Sequence, residues 1–578
     1  MVQPAWSRGI ADEVSPDRLL EVTGRISEVV RLSGSAQELR SARYVDGLLR
    51  EAGLKTQLLF HDAYISLPGA AELVVGEQRF PCITHSFSAP SGPGGIVGPL
   101  VDIRAPAGAA GYAAYGKVAL LDGLAMAGFV SAVEAGGAVA QIYINGDLTH
   151  EMIVSSVWGS PGTAEQAKYP KRPVVSVTNE VGAKLRDLLR SGPVEIRVFC
   201  DVDTAWRKTP LLIANLKAAA GDDFVLFSGH LDSWHRGAMD NAGANATMVE
   251  VARILAGHRR HLRRGLRLAF WSGHSHGRYS GSAWYADSHW SELREHCVAH
   301  VNVDSVGGRG ATVLSEGIAM ASTRALGADA VNEVAHAAFH GTRVGRAGDQ
   351  SFVALGIPSL WMSLSEQPPS DHPTARAFSS AVGSPRSGGL GWWWHTVEDT
   401  VDKLDPELLL RDAQIYTVAV GKLVSEALLP LSAVGEADDL VRGLIDLDEV
   451  AGGRFDLSTT IAAAREARAV ASRLDDWRAK QPLGQDLPQA ALFNRAVNAL
   501  LRGLVGAQYS EFGPYAQDPA AGIEPIPLLN PVVALVDMGP DTDEARLLTV
   551  DLIRARNRLE DLVRRGTQAA DTVVEQLR

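Results

Sequence analysis

Cysteine is scarce in this sequence, and the few cysteines present are scattered. Cys82, Cys200 and Cys297 are the only three in 578 residues. An odd, widely spaced set of thiols argues against a disulfide framework and is typical of small buried side chains in a reducing compartment. The sequence therefore predicts a cytoplasmic protein.

Long hydrophobic runs are missing as well. No stretch reaches the roughly 18 uncharged apolar residues that a membrane-spanning helix needs, and the best candidate, residues 118–144, is interrupted by Asp122 and Glu134. The N-terminal residues MVQPAWSRGIADEVSPDRLL lack the apolar core of a signal peptide. We expect neither a membrane span nor a membrane partner.

Positive charge is too scarce for a nucleic-acid surface. The net charge is -12 and the isoelectric point is near 5.8, whereas nucleic-acid binding needs basic patches. The one concentrated basic run, HRRHLRRGLR at residues 258–267, is typical of a solvated helix end. We expect no nucleic-acid partner.

The patterns that are present divide the chain into four segments. Residues 1–61 contain two predicted helices, and residues 62–206 contain short apolar runs with many Gly and Pro, which indicate a mainly β domain with one helix. Over residues 207–430, buried strands alternate with helices, as in a three-layer α/β sheet whose ligands lie at the carboxyl ends of the strands. Residues 431–578 are almost entirely helical.

Metal-type side chains follow several of these predicted strands. Histidines and carboxylates delivered by several strand ends are what a pair of zinc ions requires. Asp232, two residues after His230, is placed to receive the imidazole N–H and fix its tautomer. The stretches are FSGHLDSWHRGAMDNAGANATMVE with His230, Asp232 and Asp240, FWSGHSHGRYSGS with His274 and His276, HVNVDSVGG with Asp304, and GWWWHTVEDTVDKLD with His395.

Together these stretches resemble a known family. HLDS with GAMDNAGA, FWSG followed by Gly-Ser and Tyr285, NVD, GDQSFVALGIPSL and HTVEDTVDKLD occur in the order found in zinc aminopeptidases of the glutamate carboxypeptidase II and transferrin receptor type. The resemblance implies a zinc-exopeptidase-like α/β sheet at residues 207–430. It also implies an inserted protease-associated domain at residues 62–206 and a helical dimerisation domain at residues 431–578, hence a homodimer.

The resemblance also implies ligand roles. His230 and Asp304 become ligands of one metal ion, Asp240 bridges both ions, and His395 binds the second. The implied cofactors are two divalent ions, zinc by expectation, with manganese or iron as alternatives. The implied reaction is hydrolysis of an amide-type bond in a peptide, an N-acyl amino acid or a related small molecule.

One part of the family pattern is absent. Members carry a Glu-Glu pair after the strand that ends in Phe-Trp, the first as general base and the second as a metal ligand, and this sequence has Gly-His-Ser-His-Gly there. Counted forward from Trp271, His274 takes the base position and Ser275 the ligand position. Counted backward from the downstream Gly-Ser, Ser275 takes the base position and His276 the ligand position.

Both histidines are suited to replace the missing acids. In an extended segment, residues two apart face the same side, and imidazole serves as a zinc ligand or as a general base. We predict His276 as the replacement ligand and His274 as the proton-transfer group, with Asp232 supporting the chemistry. Two alternatives are a single remaining metal with little or no chemistry, and loop histidines with the carboxylate supplied by Glu398 or Glu366.

Other residues near these stretches are candidates for substrate binding. Arg278 can hold a carboxylate, and Tyr279 lies beside it. Three consecutive tryptophans precede His395, so at least one of them, with Trp394 the nearest, is expected to line an apolar pocket. His372 lies in a predicted pocket loop. The alternative from another functional class is a receptor-like binding and dimerisation protein with a degenerate metal site.

Overall fold

The computed structural model describes residues 6–104, 111–219, 221–372, 375–376, 389–481, 488–520 and 524–577. Its strands are β1 (Lys55–Val75), β2 (Gln78–Pro81), β3 (Ile83–Thr84), β4 (Ile96–Ile103), β5 (Val118–Asp122), β6 (Ala140–Ile144), β7 (Val174–Val177), β8 (Glu195–Leu216), β9 (Phe224–His230), β10 (Gly265–Trp271), β11 (Cys297–Asn302) and β12 (Ser359–Leu360). Its helices are α1 (Pro16–Ile26), α2 (Ala36–Glu51), α3 (Ala127–Ala135), α4 (Asn179–Ser191), α5 (Ala244–Gly257), α6 (Ser280–Ser288), α7 (Trp290–His296), α8 (Arg324–Ala335), α9 (Pro406–Ser425), α10 (Ala433–Ala451), α11 (Ser458–Ala479), α12 (Ala490–Tyr509), α13 (Val532–Asp537) and α14 (Asp543–Leu577).

The central sheet is mixed, in the order β12-β11-β9-β10-β8. Strands β12, β11, β9 and β10 run parallel, and β10 pairs antiparallel with β8. Every residue of β9, FVLFSGH, is buried, as expected of a central parallel strand that is covered on both faces. Helices α1, α5 and α9 pack together, and α5 and α9 contact strand β9. The predicted α/β class is confirmed.

Two long strands connect the central sheet to a second sheet. Strand β1 pairs antiparallel with β8 along most of its length, and β8 pairs with β10 near one end and with β4 near the other. The second sheet continues through β5, β6, β7 and β3. The segment boundaries predicted at residues 62 and 206 therefore fall inside continuous strands.

A helix that was not predicted from the sequence connects two strands of the second sheet. Residues 118–144 form strand β5, helix α3 and strand β6, and β5 and β6 pair in parallel. A parallel pair needs a crossover connection, which helix α3 supplies here. The segment is thus an α/β unit around β4 to β7 rather than the mainly β domain that its Gly and Pro content suggested.

The carboxyl ends of three parallel strands meet at one edge of the central sheet. His230 ends β9 and pairs with Trp271, the last residue of β10. Asp304 lies two residues beyond β11, which pairs in parallel with β9 on its other side. The loops that carry the predicted ligands therefore leave the sheet side by side.

The C-terminal residues form a helical layer. Helices α10 to α14 pack mainly on one another, and the 35-residue helix α14 lies against α11 and α12. No helix in the described ranges is both long and apolar enough to traverse a lipid bilayer.

Candidate metal centre

Three of the predicted strand-end side chains converge on one point. The ligand-type atoms of His230, His274 and Asp304 all lie within 4.8 Å of one another, and all three residues are buried. His230 Nε2 is 3.5 Å from Asp304 Oδ2. The rings of His230 and His274 stack with their centroids 3.7 Å apart. Two imidazoles and a carboxylate form a ligand set that suits zinc.

Asp240 lies between this group and His395. Its Oδ1 is 2.9 Å from His230 Nε2, and its Oδ2 is 3.1 Å from His395 Nε2. The buried carboxylate of Asp399 holds the loop in place by accepting the backbone N–H groups of Met239 and Asp240. The two carboxylate oxygens of Asp240 thus face different histidines, as the predicted bridging role requires.

The candidate histidine ligands share one pattern of hydrogen bonds. Nδ1 of His230 donates to the Asp232 carbonyl at 2.9 Å, and Nδ1 of His395 donates to the Glu151 carbonyl at 2.6 Å. Nδ1 of His274 donates to Asp349 Oδ2 at 2.8 Å. These bonds fix the tautomer in which Nε2 keeps its lone pair, which is the arrangement found in metal-binding histidines.

The atoms facing the centre are unsatisfied without an ion. Although His230 Nε2 and Asp240 Oδ1 are close, neither forms a hydrogen bond of acceptable geometry with any described residue. Buried polar atoms without partners are uncommon and call for an explanation. A divalent cation between imidazole nitrogen and carboxylate oxygen supplies one, so the residues present fit the predicted zinc.

His276 lies outside this group and is held by Ser33. Its Nδ1 lies 2.9 Å from Ser33 Oγ, and Ser33 Oγ lies 2.7 Å from Asp232 Oδ2. Because an ionised carboxylate only accepts hydrogen bonds, the Ser33 hydroxyl donates to Asp232. The Ser33 backbone N–H donates to His276 Nδ1 at 3.4 Å, and the same nitrogen faces Ser33 Oγ, so these contacts do not fix the tautomer of His276. Nε2 of His276 is buried and has no hydrogen-bond partner among the described residues.

The two histidines of the loop therefore differ from their predicted assignment. His274, predicted as the proton-transfer group, lies with the metal-type side chains, and its Nδ1 is occupied by Asp349. His276, predicted as the replacement ligand, packs against Trp234 with ring centroids 4.4 Å apart. The geometry favours the exchange of the two roles.

Asp232 organises the loop rather than the His230 ring. His230 Nδ1–H donates to the backbone carbonyl of Asp232. The carboxylate oxygen Oδ1 of Asp232 is farther from the same nitrogen, at 3.8 Å. The carboxylate accepts the backbone N–H groups of His274 and Ser275. Burial opposes the ionisation of Asp232. Its interaction with His276, followed by the charges of the surrounding histidines, nevertheless keeps the pKa of Asp232 below its usual range.

Several residues that touch the centre were not found from the sequence. Asp349 binds both His274 and, through Oδ1, the Ser282 hydroxyl. The buried Arg31 guanidinium donates to the carbonyls of Leu231, Arg236 and Gly237 and so holds the loop after β9. Only the position of Asp349 inside the recognised GDQSF stretch gave a signal.

Glu151 is the most unexpected neighbour, because it comes from the segment between β6 and β7. Its backbone exchanges hydrogen bonds with His395, and its Oε2 is buried without a hydrogen-bond partner among the described residues. Oε1 is 3.9 Å from His235 Nε2. Burial raises the pKa of Glu151 to about 8, and burial lowers that of His235 to about 4.

The predicted substrate-binding residues have different surroundings. Arg278 donates to the carbonyls of Ser155 and Ile153 in the inserted segment, so its guanidinium is not directed at the centre, in contrast to the predicted role. Tyr279 packs edge-on against His274 with centroids 4.8 Å apart. Trp394 stacks on His395 at 3.5 Å. His372 lies 3.7 Å from Asp147 and stacks on Trp392.

The two alternative carboxylates, Glu398 and Glu366, lie outside the group of metal-type side chains. Glu398 lies 3.7 Å from Lys403 Nζ. The backbone of Glu366 pairs with Val313 in an isolated bridge. Neither belongs to the group of metal-type side chains identified within the described ranges.

The fold is that of solved zinc aminopeptidases. A zinc aminopeptidase from Bacillus subtilis matches 71% of this chain and 96% of its own, with a TM-score of 0.55 and 20% identity. The aminopeptidase from Aneurinibacillus sp. strain AM-1 matches 72% of this chain and 96% of its own, with a TM-score of 0.53 and 22% identity. At such identities the likeness shows the fold alone.

Sequence comparison names the family more closely. Residues 212–420 match the model of Peptidase family M28, so the resemblance predicted from the strand-end motifs is confirmed. The probable lipoprotein aminopeptidase LpqL of Mycobacterium tuberculosis is 26% identical over 297 residues, covering 48% of this chain and 56% of that protein. Aminopeptidase NAALADL1 of Mus musculus is 31% identical over 104 residues, covering 17% and 14%. The chain thus spans little more than half of the first curated relative and far less of the second.

Proposed function

We propose that this protein is a metal-dependent peptidase that cleaves an amide-type bond. The observation that carries the proposal is the shared orientation of His230, His274 and His395, each with Nδ1 bound and Nε2 left for an ion. The match of residues 212–420 to Peptidase family M28 supports it. Zinc is the expected metal, and a bound divalent ion would polarise the scissile carbonyl and lower the pKa of a water molecule.

The protein's own residues would handle the proton. In the tautomer whose Nδ1–H is directed at Ser33 Oγ, the buried Nε2 of His276 would accept one, and Asp232 would stabilise the imidazolium through Ser33. We therefore assign His276 to proton transfer and His274, with His230 and Asp304, to the metal. Of the residues that the resemblance implies for a second ion, the structure brings Asp240 and His395 together.

The substrate class we favour is a peptide with a free amino terminus. Glu151 places a carboxyl group next to His235, and His235, Asp240 and His395 line the same small cavity. Burial keeps this carboxyl group neutral up to about pH 8 in the free protein. The ammonium group of such a substrate would favour its ionised form, and the resulting ion pair would bind the substrate and replace one acid of the missing Glu-Glu pair. N-acyl amino acids and related amides are the alternative substrates.

The finer predictions about the assembly form part of this proposal. We propose that the α/β unit of β4 to β7 is a protease-associated-like insert, supported by its contacts to the site through Glu151 and Arg278.

We also propose a cytoplasmic homodimer formed by the C-terminal helices. Helices α13 and α14 pack together and expose apolar side chains that a second copy would cover. These side chains are Val533, Val536, Leu547, Val550 and Ile553.

Hydrolysis of aminoacyl and N-acyl-aminoacyl aryl amides tests the function. We expect turnover by the zinc-loaded protein, loss of turnover after chelation and recovery on adding zinc. His340→Ala, a change to an exposed histidine outside the site, is the matched control and should retain full activity. A zinc-loaded, folded protein that cleaves no amide in the panel would contradict the proposal and favour the receptor-like alternative.

A further inference from the structure

We propose that the centre binds one divalent ion tightly, on His230, His274 and Asp304, and leaves the position beside His395 unfilled at micromolar metal concentrations. This inference rests on the proposed metal-dependent function and deepens it. It departs from the two ions that the sequence resemblance implies. The reason is that the second Glu of the family pair would bind an ion beside His395, whereas the imidazole of His274 lies beside His230. One end of the site thus gains a metal-binding side chain and the other end loses one.

The end at His230 has a complete ligand set. His230, His274 and Asp304 are the one group of three or more His, Cys, Asp or Glu side chains with donor atoms within 4.8 Å that the described part of the chain contains. Asp240 Oδ1 lies 2.9 Å from His230 Nε2 but does not belong to that group. Three or four protein ligands are what zinc sites in proteins have.

The end at His395 has fewer donors. Asp240 Oδ2 is 3.1 Å from His395 Nε2, and no third donor lies near enough to these two to form a group within the described residues. The indole of Trp234 packs against both His276 and His395, with ring centroids 4.4 and 5.6 Å away. Two protein ligands are fewer than the three that catalytic zinc sites keep.

The orientation of His276 supports the same conclusion. Its Nδ1 is tied to Ser33 and its ring lies against Trp234, and its carbonyl accepts the Ser66 N–H at 2.7 Å. Ser66 thus holds the backbone of His276, Ser33 holds one ring nitrogen, and Trp234 packs against the ring. His276 belongs to no group of three ligand-type side chains in the described part of the chain. The loop therefore contributes one ligand through His274 and no replacement for the carboxylate that would bind a second ion.

Metal analysis of variants tests the inference without relying on activity. The full chain is loaded with zinc, passed through a desalting column and analysed by plasma mass spectrometry, and the metal environment is measured by X-ray absorption. We expect about one zinc per chain and no zinc–zinc scattering near the roughly 3.5–4 Å of a two-metal site. His274→Ala should lose the ion, whereas His395→Ala and the matched variant His276→Ala should keep it.

Two further readings secure the outcome. Asp349→Asn leaves the ligands in place and should weaken zinc binding by about 10–100-fold in a chelator competition, which keeps the test informative if His274→Ala does not fold. Two zinc ions with a zinc–zinc vector, no bound zinc, or equal loss of metal in His395→Ala and His274→Ala would each overturn the inference. One bound ion without amide hydrolysis would sustain it while the proposed function fails.

Discussion

His274 and His276 belong to the same loop, two residues apart, and meet entirely different surroundings. His274 stacks on His230 and is bound by Asp349. His276 is bound by Ser33 and packs against Trp234. The two side chains diverge because the loop is a closed turn: Gly273 has a φ of 72°, and its carbonyl accepts the Ser280 N–H at 3.0 Å. In a turn, residues two apart do not share a face as they do in a strand.

This difference shows how a loop can exchange acids for imidazoles and still build a site. One imidazole lies among the metal-type side chains, and the other is held by Ser33 and is our proposed proton acceptor. The two imidazoles differ in the group that holds Nδ1, which is the Asp349 carboxylate for His274 and the Ser33 hydroxyl for His276. The predictions below break or sharpen this comparison.

The largest effect is expected from His274→Ala. Removing a ligand of the tightly bound ion should lower kcat/KM by about 1,000-fold or more, because a metal ion contributes several kcal/mol of transition-state stabilisation. The measurement is steady-state hydrolysis of an aminoacyl aryl amide alongside zinc content. A variant that retains both zinc and activity would remove His274 from the metal centre.

His276→Ala should lose activity but not metal. Loss of a general base costs roughly 100-fold or more in kcat, and the zinc content should stay near that of the unaltered protein. Activity and zinc content together distinguish the two histidines, because His274→Ala should lose both activity and zinc. If His276→Ala releases zinc, the assignment of roles reverts to the one predicted from the sequence.

Glu151→Gln should act on substrate selection. The lost charge-assisted contact is expected to raise KM roughly tenfold for substrates with a free amino group and to leave N-acyl substrates unaffected. Equal changes for both classes would mean that Glu151 does not contact the amine.

The same substitution should alter the pH dependence of stability. Burial raises the pKa of Glu151 to about 8, so the folded chain holds this proton to higher pH than the unfolded chain. The stabilisation is fully present below the unfolded pKa and is lost as pH rises to about 8. In the chelated protein, Glu151→Gln should reduce the fall in unfolding free energy between pH 5 and 8 by on the order of 2 kcal/mol. The measurement is urea unfolding of both proteins at pH 5 and pH 8, and an equal fall in unfolding free energy in the unaltered protein and in Glu151→Gln would contradict this.

The smallest effects are expected among the three consecutive tryptophans. Trp394 stacks on His395, so Trp394→Ala should raise KM by about 3–10-fold. Trp392 is 37% exposed, and Trp392→Ala is its matched control, with KM expected within about twofold. Unchanged KM values in both variants would exclude this segment from the substrate pocket.

The sequence predicted much of this architecture because its signals are local. Buried strands alternate with helices from β9 onward, and parallel strands bring His230 and Asp304 to one edge of the sheet. The order of motifs carried the family resemblance. Each of these inferences depends on residues close together in the chain.

The rest depended on contacts between distant segments. Asp349 lies 75 residues from His274, Ser33 lies 243 from His276, and Glu151 lies 244 from His395. Neither residue type nor spacing indicates such pairs. The turn that separates His274 from His276 was likewise hidden, because alternation predicts a common face only for an extended chain.

The most direct test is a crystal structure of the zinc-loaded protein with anomalous differences measured at the zinc edge. The account predicts an anomalous peak bonded to Nε2 of His230, Nε2 of His274 and a carboxylate oxygen of Asp304, with His276 still bound to Ser33. A peak coordinated by His276, with His274 outside its ligands, would contradict it.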